Sequence, residues 1–333
     1  MSYVELSDKI KAWIDGVHMD DNTINQIVTM ASIPEVASVA VMPDAHLGIG
    51  ACVGSVIVTK KVIIPASVGV DIGCGLGGVR LSLTEDDLPD DLDSLRSEIE
   101  RAIPHGRSNN GGAGDRGAWS NPPASVVSAW RSKLEPRFNQ ILERHPKIGS
   151  HNALTHASSL GGGNHFFEVS IDEQRRIWLT VHSGSRGVGN RIGQYFITKA
   201  KEEMARIHRG LPDADLSFLE KGTEVFDDYI EAMTWAQDFA LISRRLMLER
   251  ALGVLRDNPK IPSFTTEKMA IESHHNYVSF ENHLGEEVTP DSVIPNTEAN
   301  KWKPIGRHLV FILNFSHTNN AQTYSASPFD AFV

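Results

Sequence analysis

Residues 67 to 75, SVGVDIGCG, place a carboxylate (Asp71) and a thiol (Cys74) three positions apart among glycines, within an otherwise apolar stretch. Three histidines elsewhere stand in or beside turn-forming segments: His165 in SLGGGNH, His182 in HSGSRGVGN and His275 in ESHHNYV. Oxygen, sulfur and nitrogen donors in one mixed set suit borderline divalent ions. A thiolate has more than one lone pair and can bridge two ions, so the set could hold a dinuclear site. Each residue alone has a plainer reading: Asp71 as a turn former, Cys74 as a small buried hydrophobe, each histidine as a satisfied core or surface residue.

Anion-binding features surround these donors. SLGGGNH (159–165) exposes successive backbone N–H groups, and HSGSRGVGN (182–190) runs into a helix, where its amides and Arg186 could cradle a phosphate. Tight loops with positive φ are the alternative reading of both glycine patterns. Beside metal ligands they suggest phosphoryl chemistry on a nucleotide or nucleic acid.

The elements that must position these residues are legible in part. β-branched runs between Val36 and Val70, punctuated by glycine and proline, predict strands joined by tight loops. Residues 91–103 carry Leu95, Ile99, Ala102 and Ile103 at helical spacing before Pro104. Residues 105–119, rich in glycine and asparagine with two arginines, read as a loop, either one that orders on binding or a plain surface loop. HFFEVSI and RIWLTVH, separated by DEQR, predict a hairpin over 165–182. If Ser170 faces Ile177, the same register sets His165 opposite His182, with Cβ atoms about 5 Å apart. Segments 191–209 and 224–256 read as amphipathic helices.

With 333 residues, 41% hydrophobic and 22% charged, the chain has the composition of a soluble globular protein. No run of roughly 18 apolar residues occurs and the first 19 residues are polar, so the expectation is a cytoplasmic protein with no membrane partner. Two cysteines, Cys52 and Cys74, are too few for a disulfide framework. A net charge of −10 argues against wholesale nucleic-acid binding; a polyanion would have to be met through a local basic patch or through bound metal. Residues 301–333 differ in balance, net +2 against −12 for the rest.

The strings MPDAHLGIG (42–50), PASVGVDIGCG (65–75), PHGR (104–107), SLGGGNHFFE (159–168), HSGSRGVGN (182–190) and HHNYV (274–278) occur in an order and spacing that resemble the RtcB family of RNA-splicing ligases. The resemblance runs from about Val17 to Glu287. It implies the family's mixed α/β fold in a single catalytic domain over residues 1–288, expected to be incomplete at its C-terminal side, with an RNA partner and with GTP and two Mn²⁺ ions as cofactors; a monomer is expected. Carried over by motif, Asp71, Cys74, His165, His182 and His275 are the manganese ligands. Asn164, His165, Phe166, Phe167 and Glu168, with His275 and Asn276, belong to the guanylate pocket. Arg186 is a phosphate or RNA contact, and Asp44 and His46 support the site from a neighbouring loop.

The reaction this resemblance implies has three steps. A histidine attacks GTP to form a guanylyl-histidine, GMP passes to an RNA 3′-phosphate, and a 5′-hydroxyl displaces GMP; a 2′,3′-cyclic phosphate is first opened by hydrolysis. The family's nucleophilic histidine lies in a C-terminal HGAGR preceded by a GSMG loop, and neither string occurs in these residues. Only Ser316 and His317 distantly echo it. Residues 289–333 are therefore read as a divergent tail, and the expectation is a chain that forms no guanylyl adduct. A manganese-dependent cyclic phosphodiesterase and a non-catalytic RNA- or metal-binding remnant stand as alternatives.

Overall fold

The β-branched runs after Val36 form strands as their patterning predicts. A computed structural model describes residues 4–106, 116–267, 271–283, 286–292 and 308–314. The chain opens with β1 (Val4–Ser7), β2 (Ile10–Ala12), α1 (Asp21–Ala31), β3 (Val36–His46), β4 (Val53–Thr59), β5 (Val62–Ile63) and the one-turn α2 (Pro65–Val68). β6 (Gly75–Thr84) and α3 (Asp93–Ala102) follow, then α4 (Ala124–Ala129), a π-helical turn (Trp130–Leu134), α5 (Glu135–Arg144) and α6 (Ala153–His156). The hairpin β7 (Phe166–Ile171) and β8 (Arg176–Ser183) leads into α7 (Arg186–Arg206), the short β9 (Leu219–Glu220) and the 34-residue α8 (Glu224–Asp257). β10 (Ile271–His274), β11 (Tyr277–Val278), β12 (Glu281–His283), β13 (Glu286–Ser292) and β14 (His308–Asn314) complete the described elements.

Two sheets dominate this mixed α/β architecture. One runs β1-β2-β3-β4-β13-β11 with β12 paired to β13; the other, antiparallel throughout, runs β10-β6-β8-β7-β14. α8 joins the layers. Its first half buries Tyr229, Met233, Trp235 and Phe239 in a helical core with Trp130, Phe138 and Phe196. Its second half lays Met247, Leu248, Ala251 and Leu255 on Val79, Leu81, Leu179 and Val181 of the second sheet. α1 covers the first sheet through Ile27 and Met30. Cys52 is buried in that third core.

Two elements depart from the sequence reading. β6 begins with the glycine-rich GLGG, but its second half alternates buried Val79, Leu81 and Leu83 with Arg80, Ser82 and Thr84, a period-two signal that the sequence reading passed over. The hairpin register differs by one residue from the expected one: Ser170 pairs with Trp178 and Phe166 with His182, leaving His165 just outside the ladder. The turn decides this. Arg175 takes a left-handed φ of 62° and its N–H donates to the Asp172 carbonyl, while Asp172 Oδ1 accepts from the Gln174 and Arg176 amides. A loop of that form fixes which residues face each other.

Candidate metal centre

The donors come from four loops at one end of the second sheet. α2 ends at Gly69, and the turn after it folds Asp71 back over Cys74, whose amide donates to the Asp71 carbonyl at 3.0 Å. Cys74 immediately precedes β6, and β10 lies beside that strand with His274 opposite Gly75. The pairing delivers His275, whose amide donates to the Cys74 carbonyl at 2.8 Å. His182 is the penultimate residue of β8, and His165 immediately precedes β7. A Cβ on Gly184 would stand 2.2 Å from Asp71 Oδ1, so the glycine leaves the space in which the carboxylate lies. The Ser185 amide then donates to Asp71 Oδ1 at 3.0 Å.

These loops form two groups of ligand atoms that share one sulfur: Asp71, Cys74 and His165 in the first, Cys74, His182 and His275 in the second. Cys74 Sγ is 3.5 Å from His165 Nε2 and 3.3 Å from His182 Nε2. His165 Nε2 is 2.8 Å from Asp71 Oδ2, and His182 Nε2 is 2.8 Å from His275 Nε2. The ring centroids of His165 and His182 are 5.5 Å apart, so the two imidazoles meet although they are not a cross-strand pair.

Each Nδ1 faces an acceptor: the Leu160 carbonyl for His165, the Asn164 carbonyl for His182 and Asn276 Oδ1 for His275. A neutral ring held this way carries its proton on Nδ1 and turns the Nε2 lone pair inward. Lone pair then faces lone pair between His182 and His275, a repulsion that a divalent cation relieves, so the donor set fits a metal; His165 Nε2 hydrogen-bonds Asp71 Oδ2 at 2.8 Å in the metal-free chain.

The electrostatics point the same way. Burial, then His275 and His165 beside it, pull the His182 pKa down to about 3, and burial lowers that of His275. Both are neutral, ligating forms at pH 7. Burial pushes Asp71 up, but the hydrogen bond and charge of His165, with Cys74 and Arg186, outweigh it and hold the carboxyl below its usual range. Burial and then the Asp71 carboxylate push the Cys74 thiol well up. A bound cation reverses that preference, because a coordinating thiol gives up its proton.

Comparison with known proteins decides the family. The profile described as tRNA-splicing ligase RtcB matches residues 26–291. The chain belongs to the RtcB family. It is 44% identical over 283 residues to the RNA-splicing ligase RtcB of Escherichia coli (strain K12), covering 84% of this chain and 69% of that protein. It is 28% identical to the tRNA-splicing ligase RtcB of Methanococcus maripaludis, over 69% of this chain and 55% of the relative. With the RNA-splicing ligase RtcB of Mycobacterium tuberculosis it shares 26% identity, over 78% of this chain and 67% of the relative.

The other residues singled out by the RtcB motifs have varied placements. Arg186 opens α7 with a left-handed φ of 59°; its Nε donates to Ser159 Oγ at 3.2 Å, and its guanidinium fills the space above Gly161. That joins the two glycine loops read as phosphate cradles. Asn164 is exposed. Phe166 and Glu168 share a face with their partners His182 and Thr180, and the Phe166 ring is 5.4 Å from that of His182. Phe167 is the correction: strand alternation sends its side chain to the opposite face, fully buried in the sheet core, where it cannot line a nucleotide pocket. Asn276 works as a brace, its Oδ1 accepting from His275 and its Nδ2 donating to the Asp71 carbonyl at 3.1 Å. Asp44 and His46 are exposed at the end of β3 and belong to neither donor group.

Residues 107–115, including Arg107 of PHGR, lie outside the described residues, although Gly106 donates its amide to the Gly161 carbonyl at 2.7 Å. Ser316 and His317 also lie outside them. The RtcB match ends three residues past position 288, and β13 crosses that boundary to pair with β4.

Arg244 was missed by the motif reading. It is 1% exposed on α8, beneath the donor loops, and burial lowers its pKa to about 10, so it remains a cation at neutral pH. The signal was available: Ala240, Arg244, Met247 and Ala251 fall on one helical stripe, so an arginine occupies an inward position.

Proposed function

We propose that this chain is an RNA ligase of the RtcB type, joining an RNA 3′-phosphate or 2′,3′-cyclic phosphate end to a 5′-hydroxyl with GTP and two Mn²⁺ ions. The observation that carries the reading is the pair of donor groups sharing Cys74 Sγ beside two glycine loops. Asp71, Cys74 and His165 would hold one ion, and Cys74, His182 and His275 the other. When bound, two such ions neutralise phosphate charge and polarise phosphorus.

The chain's own groups supply orientation. Backbone N–H groups of Gly161 to Gly163 and at the start of α7, with Arg186, are the anion cradle. Glu168 is 6% exposed, and burial raises its pKa to about 7, so near neutrality it can accept from a guanine N–H donor or, protonated, donate. We place the protein in the cytoplasm as a monomer. No described helix is long and apolar enough to cross a membrane.

A second reading is a phosphodiesterase that opens 2′,3′-cyclic phosphates without GTP. It is favoured by the two donor groups themselves, because opening a cyclic phosphate needs metal-bound water but no guanylylated histidine. One assay separates the two readings: the full chain, Mn²⁺, a labelled RNA with a cyclic-phosphate end and a 5′-hydroxyl partner, with and without GTP. A joined product that requires GTP supports the ligase. Conversion to the open phosphate alone supports the hydrolase and overturns ligation by this chain. No change in either end sinks both.

A further inference from the structure

Arg244 touches three chain segments at once. Its Nη1 donates to the carbonyl oxygens of Gly73 and Ser183, at 2.8 Å each. Its Nη2 is 3.1 Å from His274 Nδ1. Each contact is the chain neighbour of a donor: Gly73 precedes Cys74, Ser183 follows His182, and His274 precedes His275. Those three donors are one of the two groups, and neither Asp71 nor His165 has such a link.

We propose that Arg244 is a positioning residue for the Cys74, His182 and His275 half of the metal centre, one guanidinium setting the spacing of the three segments that carry its ligands. The inference rests on the metal reading of the preceding section. Stability alone does not account for the residue. A buried charge carries a large desolvation penalty, and an apolar side chain of similar volume is often as good or better. Arg244 Nε, moreover, meets no acceptor among the described residues. What an apolar side chain cannot do is hold two carbonyls in a fixed fork, and the Gly73 carbonyl held there also accepts from His274 Nδ1 at 2.9 Å, which ties in the third segment. Ser243, next to it, braces another segment, its Oγ accepting from the Ser158 amide at 3.2 Å, at the head of the first glycine loop. α8 is thus the rigid support from which the donor loops are hung.

The test is Mn²⁺ titration calorimetry on the full chain, with the thermal midpoint in chelator measured alongside. The native chain should take up two ions. Arg244→Met should keep one at near-native affinity and bind the other at least tenfold more weakly. Arg244→Lys, which can still donate to both carbonyls, should recover most of that loss. Arg245→Met, one position along and paired with Glu272 on the surface, should change neither ion. Two ions bound with native affinity by Arg244→Met, whatever its thermal midpoint, would leave Arg244 a merely structural residue and overturn the inference. If Arg244→Met does not fold, Arg244→Gln takes its place with the same expectation and the same overturning result. A native chain that binds no Mn²⁺ fails differently, removing the metal reading itself.

Discussion

His182 and His275 hold their Nε2 atoms 2.8 Å apart, each turned there by an acceptor on its own Nδ1. Both rings are buried and a charge on one repels a charge on the other, so protonation of the metal-free site must oppose folding. The His182 pKa is about 3 in the folded protein and about 6.5 when unfolded, so between those values the unfolded chain binds more protons. The stability it contributes is therefore present above pH 6.5 and lost as pH falls toward 3. His275 shifts in the same direction through burial, and His274, at about 4, through burial and then Arg244. Chelator-treated protein is expected to lose several kcal/mol between roughly pH 7 and pH 4. Urea unfolding across that range checks it, and a flat profile would contradict the geometry.

Glu168 has the opposite sign. Its folded pKa, raised by burial to about 7, lies above the ordinary 4.5, so the stability it contributes is present below pH 4.5 and lost as pH rises through 7. Glu168→Gln keeps the shape of the neutral acid and removes the buried charge. The variant should match the native protein near pH 4.5 and exceed it by up to about 3 kcal/mol above pH 8. Equal stabilities at pH 8 would mean that the carboxylate is solvated there.

Cys74 Sγ belongs to both donor groups, and Cys52 to neither. Cys74→Ser should weaken Mn²⁺ binding at both positions, each by at least tenfold, because a hydroxyl is neither a thiolate nor a good bridge. Cys52→Ser should leave metal affinity unchanged and cost only packing, on the order of 1 kcal/mol. Calorimetry on the two single variants decides between a shared and a private sulfur.

Gly184 lies against Asp71, and a methyl group there would meet Oδ1 at 2.2 Å and Oδ2 at 2.4 Å. Gly184→Ala should displace the carboxylate and weaken the Asp71, Cys74 and His165 group selectively. Unlike Arg244→Met, it spares the other half. A Cβ on Gly75 would instead meet the Ser273 carbonyl oxygen at 1.9 Å, across the β6–β10 pairing. Gly75→Ala should therefore unfold the strand pair, costing about 2–4 kcal/mol, with loss of both ions. Thermal midpoints and metal stoichiometry distinguish the two glycines.

Much of the protein was determined by its sequence read locally. Helices over 93–102 and 224–257 follow from apolar spacing of 3.6, the hairpin from two β-rich runs around a polar turn, and the candidate donors from a mixed set of carboxylate, thiol and imidazole beside glycine-rich turns. What local reading could not decide was anything set by pairing between distant segments. The hairpin register depended on the left-handed backbone of Arg175, a conformation that residue type does not announce. The same one-residue shift put Phe167 in the core and Phe166 beside His182. Which donors group together was decided by closures of about ninety to two hundred residues, made by β6 pairing with β8 and β10. Sequence records that Asp71, Cys74 and three histidines exist; only the tertiary structure makes Cys74 common to both groups and sets Arg244 beneath three loops at once. The reason is physical: side-chain periodicity is a property of one element, whereas a convergent site is a property of how several elements pack.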